Sequence, residues 1–197
     1  GNIPCLPRPV SHSNDWIKPL LESGSDGIII QMVNNSKDVE NLINDIKYPP
    51  IGKRSYGVNR AQNYGFDFEK YVDFWNKESI FIIQIESREG VENINSLLSF
   101  DEIDGVMIGP LDISGSYGQP GKLTHPDVVK AVNTVIDSCK KFNKSCGTQI
   151  ADPNLKNVSQ LFNDNYNFAI LGSDLFALYN WTNNMNTIIK KLKWTIL

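Results

Sequence analysis

Apolar residues fall along this chain in two alternating patterns. A continuous run at Gly27–Val33 reads as a strand covered on both faces, as in a parallel sheet, Ile80–Ile85 and Gly105–Ile108 read as buried-type strands, and Ser145–Ile150 and Phe168–Leu171 read as two further strands. A further short run, Ile3–Leu6, ends at Arg8-Pro9 and reads as a first strand. Between the runs, apolar positions recur at helical spacing. Trp16, Ile17, Leu20 and Leu21 share one face behind Asn14 or Ser13 as N-cap, and Gly24 closes that helix. Val39, Leu42, Ile43 and Ile46 follow Ser36 as cap, with Pro49-Pro50 as the stop. Phe66–Asn76, Arg88–Leu98, Pro126 to about Phe142 (Val128, Val129, Val132, Val135 and Ile136 inward), Pro153–Phe162 and Asp174 to about Leu192 complete the helices. Six β-α units with no antiparallel signature suit either an open doubly wound sheet or a (β/α)8 barrel short of two units. No G-x-G-x-x-G or G-x-x-x-x-G-K follows a strand, so neither a dinucleotide nor a phosphate-loop fingerprint is present.

Composition narrows the function classes. With 197 residues and 41% hydrophobic content, one core and one domain over 1–197 are expected. A net charge of −3 gives no basic footprint, which argues against nucleic acid as a partner. No apolar run is long enough for a membrane span and nothing reads as a signal peptide. Cys5, Cys139 and Cys146 form no C-x-x-C pair and read as reduced thiols, so a cytoplasmic location is expected.

The chemistry concentrates between Ile80 and Gly121. Glu86 directly follows one strand and Asp112 closely follows the next. Parallel neighbours lie ~4.8 Å apart with their carboxyl ends together, so these two carboxylates are able to converge above one sheet edge. Two carboxylates without nearby Cys or His suit a hard, oxygen-preferring divalent cation with open positions; local strand-end hydrogen bonds are the alternative. Gly109 allows close backbone approach, and the amides of Leu111 and Asp112 are candidates for gripping an anion. The loop Ile51–Gly65 carries Lys53, Arg54 and Arg60 and is either functional or a solvated surface. Arg8, Gln84, Glu86 and Asp112 all sit at the carboxyl ends of strands, an arrangement that favours the barrel.

The strings PRPVSHSNDWIKPLLESGSDGIIIQMV, YPPIGKRSYG, QIESREG, DGVMIGPLDIS and YGQPGKLTHPDV resemble the HpcH/HpaI aldolase/citrate lyase family over essentially the whole chain. The resemblance implies a (β/α)8 barrel of the phosphoenolpyruvate/pyruvate superfamily, here with six of eight strands and without the first two β-α units. It implies a class II aldolase that cleaves a 4-hydroxy-2-oxo acid to pyruvate and an aldehyde through a metal-stabilised pyruvate enolate. Glu86 and Asp112 match the metal ligands, for Mg2+ or Mn2+ and sometimes Co2+. Gln84 matches the substrate-side residue next to the metal, Arg8 the arginine that reaches the keto oxygen, and the amides of Leu111 and Asp112 the carboxylate grip. Arg8 is thus the expected catalytic residue as well as a substrate contact.

Departures from the family pattern accompany the match. The Asp-x-Glu-His motif that supplies the general base does not occur in this sequence. His12 corresponds to a loop position beside the site, and His125 reads as a cap or contact residue at the start of a helix. Arg54-Ser55-Tyr56-Gly57 replaces the usual Arg-Gly-x-Gly, which bears on the aldehyde side of the pocket. A piece of a longer protein is the expected explanation. A citrate-lyase-like acyl-CoA lyase and a pyruvate- and metal-binding chain without turnover remain as alternatives. Family members assemble as trimers or hexamers through the last helix, so residues 174–197 are expected either to pack on a neighbouring subunit or to lie on their own sheet. Lys190, Lys191 and Lys193 read as a solvated helix end.

Overall fold

Strand parity decides what each side chain faces. In the computed structural model, which describes residues 3–192, five parallel strands stand in chain order in one curled, half-barrel sheet. They are β1 (Gly27–Ile30), β2 (Ile80–Ile85), β3 (Gly105–Ile108), β4 (Ser145–Ile150) and β5 (Phe168–Leu171). One parity, Ile28, Ile30, Phe81, Ile83, Ile85, Val106 and Ile108, is wholly buried within the main core. The other, Ile29, Ile82 and Met107, forms a smaller cluster with Leu6, Phe168 and Ile170 on the opposite face. Helices α1 (Asn14–Glu22), α2 (Ser36–Ile46), α3 (Phe68–Glu78), α4 (Arg88–Glu92), α5 (Ile94–Leu97) and α7 (Pro126–Lys141) cover the first parity. Their buried stripes include Ile17 and Leu21, Val39 and Leu42, Val91, Ile94, Val128 and Val135. Each such side chain contributes about 1.5–3 kcal/mol on burial, so this layer holds the sheet edge in place.

Several boundaries differ from the sequence expectation. Five strands are found among the described residues, not six. Residues 5–7 do run beside β1, with Cys5 and Pro7 carbonyls accepting from the Asp26 and Ile29 amides. Pro4 and Pro7 have no N–H to return, and a two-way ladder does not form. β1 stops at Ile30 because Met32 turns into the left-handed region, φ 51. Asn35, not Ser36, caps α2, through a capping box with Asp38. The expected Arg88–Leu98 helix divides at Asn93, and α6 (Pro110–Ser116) occupies part of what reads as a loop. Cys139 and Cys146 are buried as free thiols and Cys5 is exposed.

The last elements, α8 (Leu155–Asn163) and α9 (Asp174–Lys191), bury no residue. Leu175, Leu178 and Trp181 of α9 are 70%, 65% and 63% exposed, so the helix is not covered by its own sheet. Gly1, Asn2, and the stretch of the expected C-terminal helix that contains Lys193 lie outside the described residues.

Candidate functional site

The register of β2 against β3 pairs Gln84 with Met107 and Ile85 with Ile108. One step further it brings Glu86 against Gly109, whose amide donates to the Ile85 carbonyl at 3.0 Å. A Cβ at Gly109 would stand 2.9 Å from Glu86 Cβ and 3.2 Å from its Oε2. The absence of a side chain there is therefore what lets the glutamate occupy this place. Gln84 and Glu86 are two residues apart and point the same way. Gln84 Nε2 donates to Glu86 Oε2 at 2.6 Å, and Arg8 Nη1 donates to Gln84 Oε1 at 3.0 Å. Arg8, Gln84 and Glu86 thus form one continuous polar chain.

The other carboxylate oxygen of Glu86, Oε1, accepts from the Met32 backbone amide at 2.8 Å. Met32 is a non-glycine residue at positive φ, a conformation costing about 1–2 kcal/mol that only surrounding contacts sustain. Val33 N donates to the Gln84 carbonyl and His12 Nε2 donates to the Gln31 carbonyl, which fixes the backbone on both sides of it. A carbonyl only accepts, so Nε2 is the protonated nitrogen of His12 in this contact.

Glu86 is buried, and burial is the main reason its carboxyl is pushed above the ordinary range. The Met32 amide opposes that shift, the Asp112 charge adds to it, and Arg8 and Gln84 oppose it more weakly. Asp112 and Leu111 are exposed in the first turn of α6, where helix amides have no partner within the helix. No ion pair found among the described residues involves Glu86.

Each Glu86 oxygen takes one hydrogen bond and retains a free lone pair, next to a second acidic charge. Among the described residues no group of three or more His, Cys, Asp or Glu is gathered for a metal. The donor set fits a hard cation that keeps most of its positions for water or a bound acid, and does not fit a closed zinc site.

The cationic loop fits the solvated-surface expectation at Lys53 and Arg60 and departs from it at Arg54. Arg54 is buried, paired with Glu22 at 3.3 Å, and stacked over Tyr48 and Trp75 with its guanidinium carbon 4.5 and 4.8 Å from the ring centroids. Burial pushes the Tyr48 hydroxyl up to about 12, while the Arg54 charge pulls it down. Ser55 accepts from Lys18 Nζ at 2.6 Å, and Lys53 and Arg60 are exposed. His125 is the N-cap of α7, its Nδ1 accepting from Asp127 N. Two participants went unforeseen in the sequence, the Met32 amide and the Glu22 partner of Arg54. A methionine carries no sequence signal for a left-handed turn, and Glu22 sits among ordinary helix-end residues.

Comparison with known proteins supplies the remaining context. Residues 5–180 match the HpcH/HpaI aldolase/citrate lyase profile. The chain is 36% identical over 148 residues to a 2-keto-3-deoxy-L-rhamnonate aldolase of Klebsiella pneumoniae, covering 74% of this chain and 55% of that protein. The chain thus spans little more than half the length of that relative. In fold it is similar to an HpcH/HpaI aldolase from Desulfitobacterium hafniense DCB-2, with TM-score 0.85 and 23% identity over 98% of this chain and 74% of that one. A similar likeness, TM-score 0.85 at 22% identity over 93% and 72%, links it to a family protein from Burkholderia cenocepacia J2315.

Proposed function

This chain belongs to the HpcH/HpaI aldolase/citrate lyase family, and we propose on that premise that its site serves the retro-aldol cleavage of a 4-hydroxy-2-oxo acid to pyruvate and an aldehyde. The observation that carries the reading is Glu86, a buried carboxylate with open lone pairs and no cationic partner among the described residues, beside the acidic Asp112. Glu86 and Asp112 would hold Mg2+ or Mn2+, with Co2+ as a substitute. A divalent cation bound there would supply Lewis acidity to the keto acid. Arg8 keeps a permanent positive charge and, held by Gln84, faces the oxygen on which negative charge grows as the carbon–carbon bond breaks. Gln84 orients both Arg8 and Glu86. The amides of Leu111 and Asp112 would grip the substrate carboxylate.

The name of the Klebsiella relative makes a 2-keto-3-deoxy sugar acid the first substrate class to try. We further propose that the sheet is part of a (β/α)8 barrel, that the protein works in the cytoplasm, and that copies assemble through the exposed apolar face of α9.

Deuterium exchange into the methyl group of pyruvate, followed by proton NMR with Mn2+ and after chelation, tests the site. Metal-dependent exchange that falls on the order of 10³-fold in Glu86→Ala supports the reading. Exchange that is indifferent to Glu86 or to metal overturns it.

A further inference from the structure

The Gln31 carbonyl and the Met32 amide belong to one peptide unit, and that unit is held at both ends. His12 Nε2 donates to its oxygen at 2.5 Å, and its N–H donates to Glu86 Oε1 at 2.8 Å. We propose that His12 is a positioning residue for Glu86, acting through the Gln31–Met32 peptide. This rests on the reading of Glu86 as a metal ligand for its functional consequence, though not for its geometry.

Three observations carry it. The peptide sits next to a strained residue, Met32 at φ 51, which relaxes towards the ordinary strand region unless both flanking groups are tied down. His12 is a side-chain tie on the carbonyl side, from the segment leading into α1, whereas the opposite tie is the functional carboxylate itself. A donor on the carbonyl also polarises the peptide, so the Met32 N–H becomes a stronger donor to Glu86. Losing His12 therefore frees the peptide to rotate and withdraws one of the two hydrogen bonds that aim the carboxylate. Groups that orient a ligating side chain in this way are typically worth about 10–100-fold in metal affinity. The half-buried ring is engaged through Nε2, which distinguishes this role from that of a base at the reacting carbon.

The test uses the whole chain, with Mn2+ as probe and the EPR signal of free aqueous Mn2+ as readout. His12→Phe keeps the ring shape and removes the donor; His12→Gln returns an amide N–H at similar reach. Glu86→Ala serves as the control for the site. The chain has three methionines, Met32, Met107 and Met185, so selective 15N-Met labelling gives a Met32 amide signal readable without metal. We expect Mn2+ affinity about 10-fold or more weaker in His12→Phe and largely restored in His12→Gln. The Met32 amide should move upfield in the first variant and return in the second. Unchanged Mn2+ affinity together with an unmoved Met32 amide in a folded His12→Phe overturns the proposal. Should the parent chain bind no Mn2+, or bind it equally after Glu86→Ala, the metal reading falls. The amide shift then decides the positioning role alone: moved and restored supports it, unmoved overturns it.

Discussion

Two glutamates are buried among the described residues, Glu22 and Glu86, and their surroundings could hardly differ more. Glu22 faces the Arg54 guanidinium at 3.3 Å, inside a box of Tyr48, Tyr71 and Trp75. Glu86 accepts only from a backbone amide and the Gln84 amide, with an exposed aspartate adding negative potential and the Arg8 charge acting on it without an ion pair. A carboxylate buried with its counter-ion belongs to the architecture, even though here Glu22 Oε2 and Arg54 Nε and Nη1 keep no hydrogen-bond partner. One buried with neutral donors is left wanting a cation, and the chain holds it so at some cost to its own stability. Burial alone therefore does not mark a site; the missing counter-charge does.

The comparison is most severely tested by exchanging the roles. Glu86→Ala should abolish metal-dependent pyruvate exchange yet leave the fold standing, since no ion pair is broken. Arg54→Met should do the reverse, lowering unfolding free energy by about 3–5 kcal/mol in urea titrations because Glu22 stays buried and unpaired. The double variant Glu22→Leu/Arg54→Met should recover much of that loss; a double variant as unstable as the single would show that the ion pair is not the source. Next in size is Gly109→Ala. Its new methyl would push on Glu86 Cβ, so Mn2+ affinity should drop about 10–100-fold with a stability loss of about 1–3 kcal/mol. Titration and thermal melts together would expose an unaffected site.

The smallest effect concerns pH. Burial raises the Glu86 carboxyl above its ordinary value of 4.5, so the folded chain retains a proton that the unfolded chain has already released. Stability contributed by this group hence falls as pH rises from that value through the folded pKa, and the cost is fully present above it. In chelator, Glu86→Gln should melt above the parent chain near neutrality, and the gap should close towards about pH 4. A gap that widens on acidification would contradict the assigned direction.

Much of the frame was legible because it is written in local periodicity. The limits of β2, β3, β4 and β5 coincide with the expected strands. In β2 and β3 side chains buried on both faces leave few polar positions to blur them, whereas β4 and β5 are only partly buried. Glu86 and Gly109 also stood out, one as a carboxylate ending a strand and the other as a glycine opening the next loop. What escaped is tertiary. Arg54 reads as a loop cation until α1 supplies Glu22 and α3 supplies Trp75, contacts separated by 32 residues in the first case. The early end of β1 depends on Met32 reaching a carboxylate 54 residues away. The strand expected at Ile3–Leu6 fails for a local reason, proline at positions where a ladder needs donors.

The bare α9 has a consequence for what hydrogen exchange would report. Helices that bury nothing open by local fraying, so their amides exchange on a schedule set by helix–coil equilibrium and not by unfolding of the core. In dilute solution α9 should lose protection far sooner than α7, whose Val128 and Val135 are sealed in the core. Raising the protein concentration would then slow α9 selectively if another copy covers it, which turns this one helix into a clock for association.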